Sequence, residues 1–205
     1  MAPAFANEEA LHRFAELVTS WRARTDLTAA RDAEAIEEVL FLDARVLADP
    51  GLVPEGARLV DVGAGAGAPS IPLALLRPDV DVTLVEPRRR RVAFLRTAVG
   101  SLGLERRARV VEARVDGRAP RIPGMPFDVA LSRATFPPER WVAIGGALAA
   151  GVLVMTATSE PPPPPDGWSI DARRDYRVPR TGAPRAVTLY RVRRGRRRDP
   201  DAPPE

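Results

Sequence analysis

One segment constrains this 205-residue chain more than any other. The strand-like run Arg58-Leu-Val-Asp-Val62 passes directly into glycine at every second position, Gly63, Gly65 and Gly67, and then into an apolar stretch reaching about Leu76. Glycine lacks a Cβ and accepts positive φ, so a strand, a glycine-rich turn and a helix in this order let a ligand approach the backbone. A turn of this kind belongs to a β-α-β unit, and the sequence repeats the alternation. Residues 80–85 read as a second strand, 89–102 as a helix, 109–112 and 127–131 as the third and fourth strands. Residues 138–149 then read as a helix and 152–156 as a fifth strand. Strands separated by helix-length segments predict an α/β fold with a mostly parallel sheet and helices on both faces. Residues 169–178 and 185–193, joined by a turn at 179–182, predict an antiparallel hairpin that completes seven strands.

Ahead of the sheet, Leu11, Phe14, Leu17, Val18 and Trp21 recur at helical spacing, as do Ile36, Val39, Leu40, Val46 and Leu47 before Pro50-Gly51 ends the pattern. These segments predict a small N-terminal helical cap over residues 1–56. The main domain is expected over 57–194 and a disordered arginine- and proline-rich tail over 195–205. Pro161 to Pro165 reads as an extended surface connector.

Composition removes several kinds of chemistry. The chain has no cysteine and one histidine, His12. Disulfide frameworks, cysteine nucleophiles and cysteine- or histidine-built metal sites are excluded, and no metal is expected. His12 falls on the first helix and is expected to be structural or solvated. No apolar run reaches the roughly 20 residues that span a bilayer, and the N-terminus lacks a basic start followed by an apolar stretch, so a cytoplasmic protein with no membrane partner is expected. All 31 basic residues are arginine, and they cluster at 88–91 and at 191–198. Arginine grips phosphate through a planar fork, so both clusters are compatible with nucleic acid, although a solvated face or a solubilising tail accounts for them equally well.

Asp61 narrows the ligand. It lies two residues before the first glycine, where a carboxylate repels a pyrophosphate and favours a cofactor carrying an ammonium and a sulfonium group, as S-adenosylmethionine does. Glu86, at the end of the second strand, is placed to accept both ribose hydroxyls.

The run from Asp61 to Ala74, Asp-Val-Gly-Ala-Gly-Ala-Gly-Ala-Pro-Ser-Ile-Pro-Leu-Ala, resembles the signature of the bacterial 16S ribosomal RNA guanine-N7 methyltransferases, the glucose-inhibited division protein B family. Three other stretches resemble the same family: Trp21 to Thr28, Arg91-Val-Ala-Phe94-Leu95, and Asp128 to Ala134 with its Ser132-Arg133-Ala134 ending. The resemblance implies a Rossmann-like class I methyltransferase fold with S-adenosyl-L-methionine as cofactor and ribosomal RNA or the small ribosomal subunit as partner. It implies that Gly63, Gly65, Gly67 and Ala68 border the cofactor, with Gly63 and Ala68 at its methionine end. Val115 and Asp116 would lie by the adenine, and Arg133 would reach the cofactor or the target. The implied reaction, methylation at guanine N7, suits a chain without a catalytic base, because N7 has an exposed lone pair and no proton to remove; the catalysis expected is alignment. A monomer is expected. The chain departs from the family pattern at Asp26, at Phe41-Leu42-Asp43-Ala44, at Ala68, at Met155-Thr156-Ala157 and in the proline run. These departures leave two alternatives: a methyltransferase for another RNA or a small molecule, and a non-catalytic RNA-binding protein that keeps the fold.

Overall fold

The structure, a computed structural model, describes residues 4–22, 25–28, 30, 32–116, 121–157 and 160–193. Seven strands form one sheet in the order β3-β2-β1-β4-β5-β7-β6. β1 (Arg58–Val62), β2 (Asp81–Glu86), β3 (Ala108–Glu112), β4 (Phe127–Ser132) and β5 (Ala149–Thr156) run parallel to one another. β7 (Pro184–Val192) lies antiparallel to β5, and β6 (Trp168–Arg177) lies antiparallel to β7 at the edge. The mostly parallel sheet with a C-terminal hairpin is the one the sequence predicts. Successive strands step outward from β1 to β3, and the chain then returns to place β4 on the other side of β1. That reversal opens a crevice at the carboxyl ends of β1 and β4.

Two apolar layers cover the sheet. On one face α1 (Ala4–Trp21), α2 (Ala33–Leu47), α3 (Ser70–Leu76) and α4 (Arg89–Ser101) bring Phe14, Leu40, Ile71 and Phe94 against Leu59, Leu84 and Leu131. The cap helices therefore share one continuous core with the sheet. On the other face α5 (Pro138–Gly146) packs Trp141 and Val142 against Val60, Val85 and Val152. The alternation Leu59, Val60 along β1 sends consecutive side chains to opposite layers, and each fully buried side chain of this size contributes about 1.5–3 kcal/mol.

Local chemistry sets the element ends. Asp32 caps α2 by accepting a hydrogen bond from the Ala35 amide at 2.7 Å. In α3, Pro69 and Pro72 occupy the cap and the first turn, where the missing N–H groups would have had no helical acceptor. α5 stops three residues earlier than predicted, and β5 begins three residues earlier. The helix ends on Gly145 and Gly146, which let it press close to the sheet: a Cβ on Gly145 would lie 2.8 Å from Val152 Cγ1. The proline connector is pinned where the Tyr190 hydroxyl donates to the Pro162 carbonyl at 2.6 Å. The tail predicted over 195–205 lies outside the described residues.

Candidate functional site

The glycine turn leaves β1 beside the crevice and is stitched to β2. The amides of Gly63 and Ala64 donate to the Val85 carbonyl at 2.8 and 3.1 Å. Gly63, Gly65 and Gly67 have φ of 79°, 58° and 81°, a region that side chains with a Cβ rarely enter. The three have different surroundings. A Cβ on Gly67 would stand 2.5 Å from Ile71 Cδ1, so this glycine serves helix packing, and the adjacent Ala68 is buried in the same core. A Cβ on Gly63 would meet the exposed Thr135 side chain at 2.3 Å, whereas one on Gly65 would make only ordinary contacts. Gly63 and Gly65 are thus the glycines that face the crevice.

Both acids lie beneath this turn. Glu86 is 2% exposed; its Oε2 accepts from the Gly65 amide at 3.0 Å and its Oε1 from the Arg88 amide at 2.9 Å. An ionised carboxylate has about four acceptor sites, so these two bonds leave room for two hydroxyl donors. Asp61 is 1% exposed, on the same sheet face as Leu59, and accepts from Ser70 Oγ at 2.7 Å. Sequence alone suggests an acid at the mouth of the turn, but the alternation of β1 turns Asp61 under it. Burial pushes its carboxyl up to about 6, while the Ser70 bond and the charge of Arg133 pull it back down.

After β3, Val115 is buried among Val62 and Val85, and Asp116 follows on the surface with its carbonyl accepting from Arg140 Nη2 at 3.0 Å. After β4, Ser132 Oγ donates to the Val62 carbonyl at 2.8 Å, which ties the two strand ends that flank the crevice. Arg133 turns toward the helical cap. Its Nη1 donates to the Val39 carbonyl at 2.8 Å and to Asp43 Oδ2 at 3.0 Å. The other oxygen of Asp43 accepts from the Tyr176 hydroxyl at 2.6 Å, and burial together with the Asp43 charge raises the Tyr176 pKa so that this hydroxyl keeps its proton. Ala134 then takes φ 56°, at a cost of about 1–2 kcal/mol for a residue with a Cβ, and so swings Thr135 over Gly63. Beyond it a cavity of about 270 Å³ opens at the ends of β4 and β5, lined by Ser132, Phe136, Trp141, Met155 and Thr156. Phe136 stacks on Trp141 with ring centroids 5.7 Å apart.

The turn, Asp61, Glu86 and Val115 converge on the crevice; Ala68 and Gly67 support it from the core, and Arg133 is held at its rim. Sequence reasoning passes over Ser70, Tyr176 and Thr135. A hydroxyl one turn past a buried acid was the available signal for Ser70. Nothing local marks Tyr176, which reaches Asp43 only through the hairpin. His12 lies exposed on α1 beside Glu16. Among the described residues no group of three or more His, Cys, Asp or Glu side chains could hold a metal ion, and no helix is long and apolar enough to cross a membrane.

The family model described as rRNA small subunit methyltransferase G matches residues 7–151. Curated relatives of that name include one from Frankia alni, 42% identical over 149 residues that take in 70% of this chain and 56% of that protein. A Mycolicibacterium gilvum relative is 42% identical over 125 residues, 61% of this chain and 53% of its own length. One from Myxococcus xanthus is 34% identical over 190 residues, 88% of this chain and 86% of that protein. The chain thus spans about half the length of the actinobacterial relatives and most of the myxobacterial one. Among solved structures, Escherichia coli yhhF, provisionally named a methyltransferase, superposes with a TM-score of 0.53 at 22% identity, over 74% of this chain and 84% of that one. A Pyrococcus horikoshii protein provisionally named an RNA methyltransferase gives 0.55 at 14% identity, over 88% and 98%. At such identities the likeness is one of fold, a Rossmann-like methyltransferase sheet. The family match runs from α1 into β5 across every element that builds the crevice, and this chain belongs to the rRNA small subunit methyltransferase G family.

Proposed function

We propose that the chain transfers a methyl group from S-adenosylmethionine to N7 of a guanine in small-subunit ribosomal RNA. The observation that carries this reading is the pair of buried acids, Asp61 and Glu86, beneath a glycine turn at the crevice between β1 and β4. The residues suit this cofactor. Glu86, anchored by two backbone amides, presents its remaining lone pairs to a ribose diol. Asp61 is a buried acid with no direct cationic partner among the described residues, so a ligand bearing positive charge relieves the cost of ionising it. Val115 supplies an apolar wall for a base beside Val85. Thr135 stands over Gly63 on the exposed loop after β4, so a ligand reaching this glycine displaces that loop residue.

When bound, the cofactor supplies an electrophilic methyl on a sulfonium. The protein's task is then alignment and exclusion of water, worth several kcal/mol when the reacting atoms are held in line. Asp61 and Glu86 fix the donor from below, and the Ser132–Val62 bond fixes the separation of the two strand ends. The cavity beside Ser132 takes a flat base against Phe136, next to the turn. Guanine N7 carries its own lone pair, so accepting the methyl would require no side chain to remove a proton.

The test is transfer of labelled methyl from S-adenosylmethionine to small ribosomal subunits isolated from a strain lacking this gene, followed by mass mapping of the RNA. One new N7-methylguanine is expected. Label appearing elsewhere, or none at all with correctly folded protein, rejects the proposal.

A further inference from the structure

Four consecutive arginines open α4, and the structure divides them. Arg91 is half-buried and spent on the fold: its Nε and Nη2 donate to the Asp26 carbonyl at 3.1 and 2.7 Å, and its Nη1 lies 3.7 Å from where a Gly65 Cβ would stand. It ties the segment after α1 to the start of α4, beside the glycine turn. Arg88, Arg89 and Arg90 are exposed. Arg89 reaches Glu112 at 3.1 Å while remaining 90% exposed, and the side chains of Arg88 and Arg90 have no hydrogen bond or ion pair among the described residues. Nothing in the helix explains them. The first turn of α4 contains no acid and its cap residue makes no side-chain bond, in contrast to α2, which has Asp32 at its cap and Glu34 in its first turn. Positive charge at a helix N-terminus opposes the macrodipole, so each of these arginines disfavours the isolated helix. With Arg91, Thr25 and Asp26 they line a concavity of about 330 Å³, in which Arg91 is already bonded to the Asp26 carbonyl. That concavity borders the crevice directly, because the Arg88 amide and the Gly65 amide share the Glu86 carboxylate.

We infer that Arg88, Arg89 and Arg90 form the docking edge for the phosphodiester backbone of the RNA substrate, and that Arg91 takes no part in it. A base delivered into the crevice brings its flanking phosphates with it, and planar guanidinium forks at the rim match them. The inference rests on the RNA-methylating reading proposed above.

The experiment measures binding of the full-length protein to unmethylated small ribosomal subunits across a salt series, alongside methyl transfer and S-adenosylmethionine affinity. Phosphate contacts release counterions, with a log–log salt slope of roughly 0.7 per contact to single-stranded RNA. The Arg88→Gln/Arg90→Gln double variant is expected to flatten that slope by about 1.4 and raise KM for subunits about tenfold, with cofactor affinity unchanged. Arg88→Lys/Arg90→Lys, which keeps the charge, is expected to retain the slope. Arg91→Gln is expected to lower stability and leave the slope alone. Parallel salt slopes for wild type and the glutamine double variant, with wild type methylating the subunits, would overturn the docking edge alone. A wild type that neither binds nor methylates the subunits would overturn the RNA reading, and the docking edge with it.

Discussion

Three arginines at the amino-terminal edge of the sheet, Arg58, Arg77 and Arg107, are bonded into the fold, whereas Arg88, Arg89 and Arg90 at the carboxyl-terminal edge stand exposed to solvent. Arg77, whose side chain is 11% exposed, donates to the carbonyls of Ala48, Val53 and Pro54 and pairs with Asp79 at 2.7 Å. Arg107 donates to the carbonyls of Ala74, Arg77 and Val80. Arg58 donates to the Gly124 carbonyl and lies over the Phe127 ring. Arg77 caps the end of α3 and Arg107 gathers carbonyls there, where the macrodipole favours positive charge; Arg88, Arg89 and Arg90 stand at the start of α4, where it does not. In a chain without lysine one side chain fills both roles, and the acceptors within its reach, rather than residue type, separate a structural staple such as Arg77 or Arg91 from an open cation.

The largest effect is expected where this contrast is broken from the closed side. Arg77→Ala strands three carbonyls and a carboxylate and should cost about 3 kcal/mol of stability, read from urea denaturation, with cofactor affinity of the folded fraction preserved. The Arg77 guanidinium holds the Asp79 carboxyl well below its usual range. That stabilisation is complete above the ordinary carboxylate value of 3.8 and fades as pH falls further, so the variant should lose part of the wild type's acid sensitivity. A smaller effect is expected at the crevice. Asp61→Asn should weaken S-adenosylmethionine binding by about 1.5–3 kcal/mol in calorimetry. The folded Asp61 holds its proton up to about 6, against 3.8 unfolded, so wild-type stability should decline as pH rises through that window and level off above it; the asparagine variant should lack the decline. Cofactor affinity should move the other way, rising as Asp61 ionises in the wild type and staying flat in the variant. The smallest effect sharpens the contrast from the open side. Arg90→Gln should change stability by less than about 0.5 kcal/mol, with any change a gain, as thermal unfolding would read.

The sheet was legible in the sequence because each buried strand carries its own apolar run and each turn its own glycine or proline, so the signals are local. The glycine turn, Asp61 and Glu86 were legible for the same reason. What sequence could not give was direction. Asp61 faces α3 and not the solvent because of its place in the alternation of β1, and Gly67 is required by the closeness of Ile71 and Leu95. Arg133 was expected to point at a ligand, yet Asp43 and Val39, some ninety residues earlier in the chain, hold it at the cap. Such partners are set by how α2 and the hairpin pack, and no spacing rule reports that.

The Asp43 carboxylate brings together segments 90 and 133 residues away along the chain, one ending β4 and the other in the hairpin. Closing loops of that size is entropically expensive until the strands between them have paired, so this junction belongs to the last events of folding rather than to its nucleus. Removing the carboxylate with Asp43→Ala should therefore hasten unfolding and leave the refolding rate nearly untouched. On that order of events the rim of the crevice would be the last part of the molecule to take its shape, resting on strands already paired beneath it.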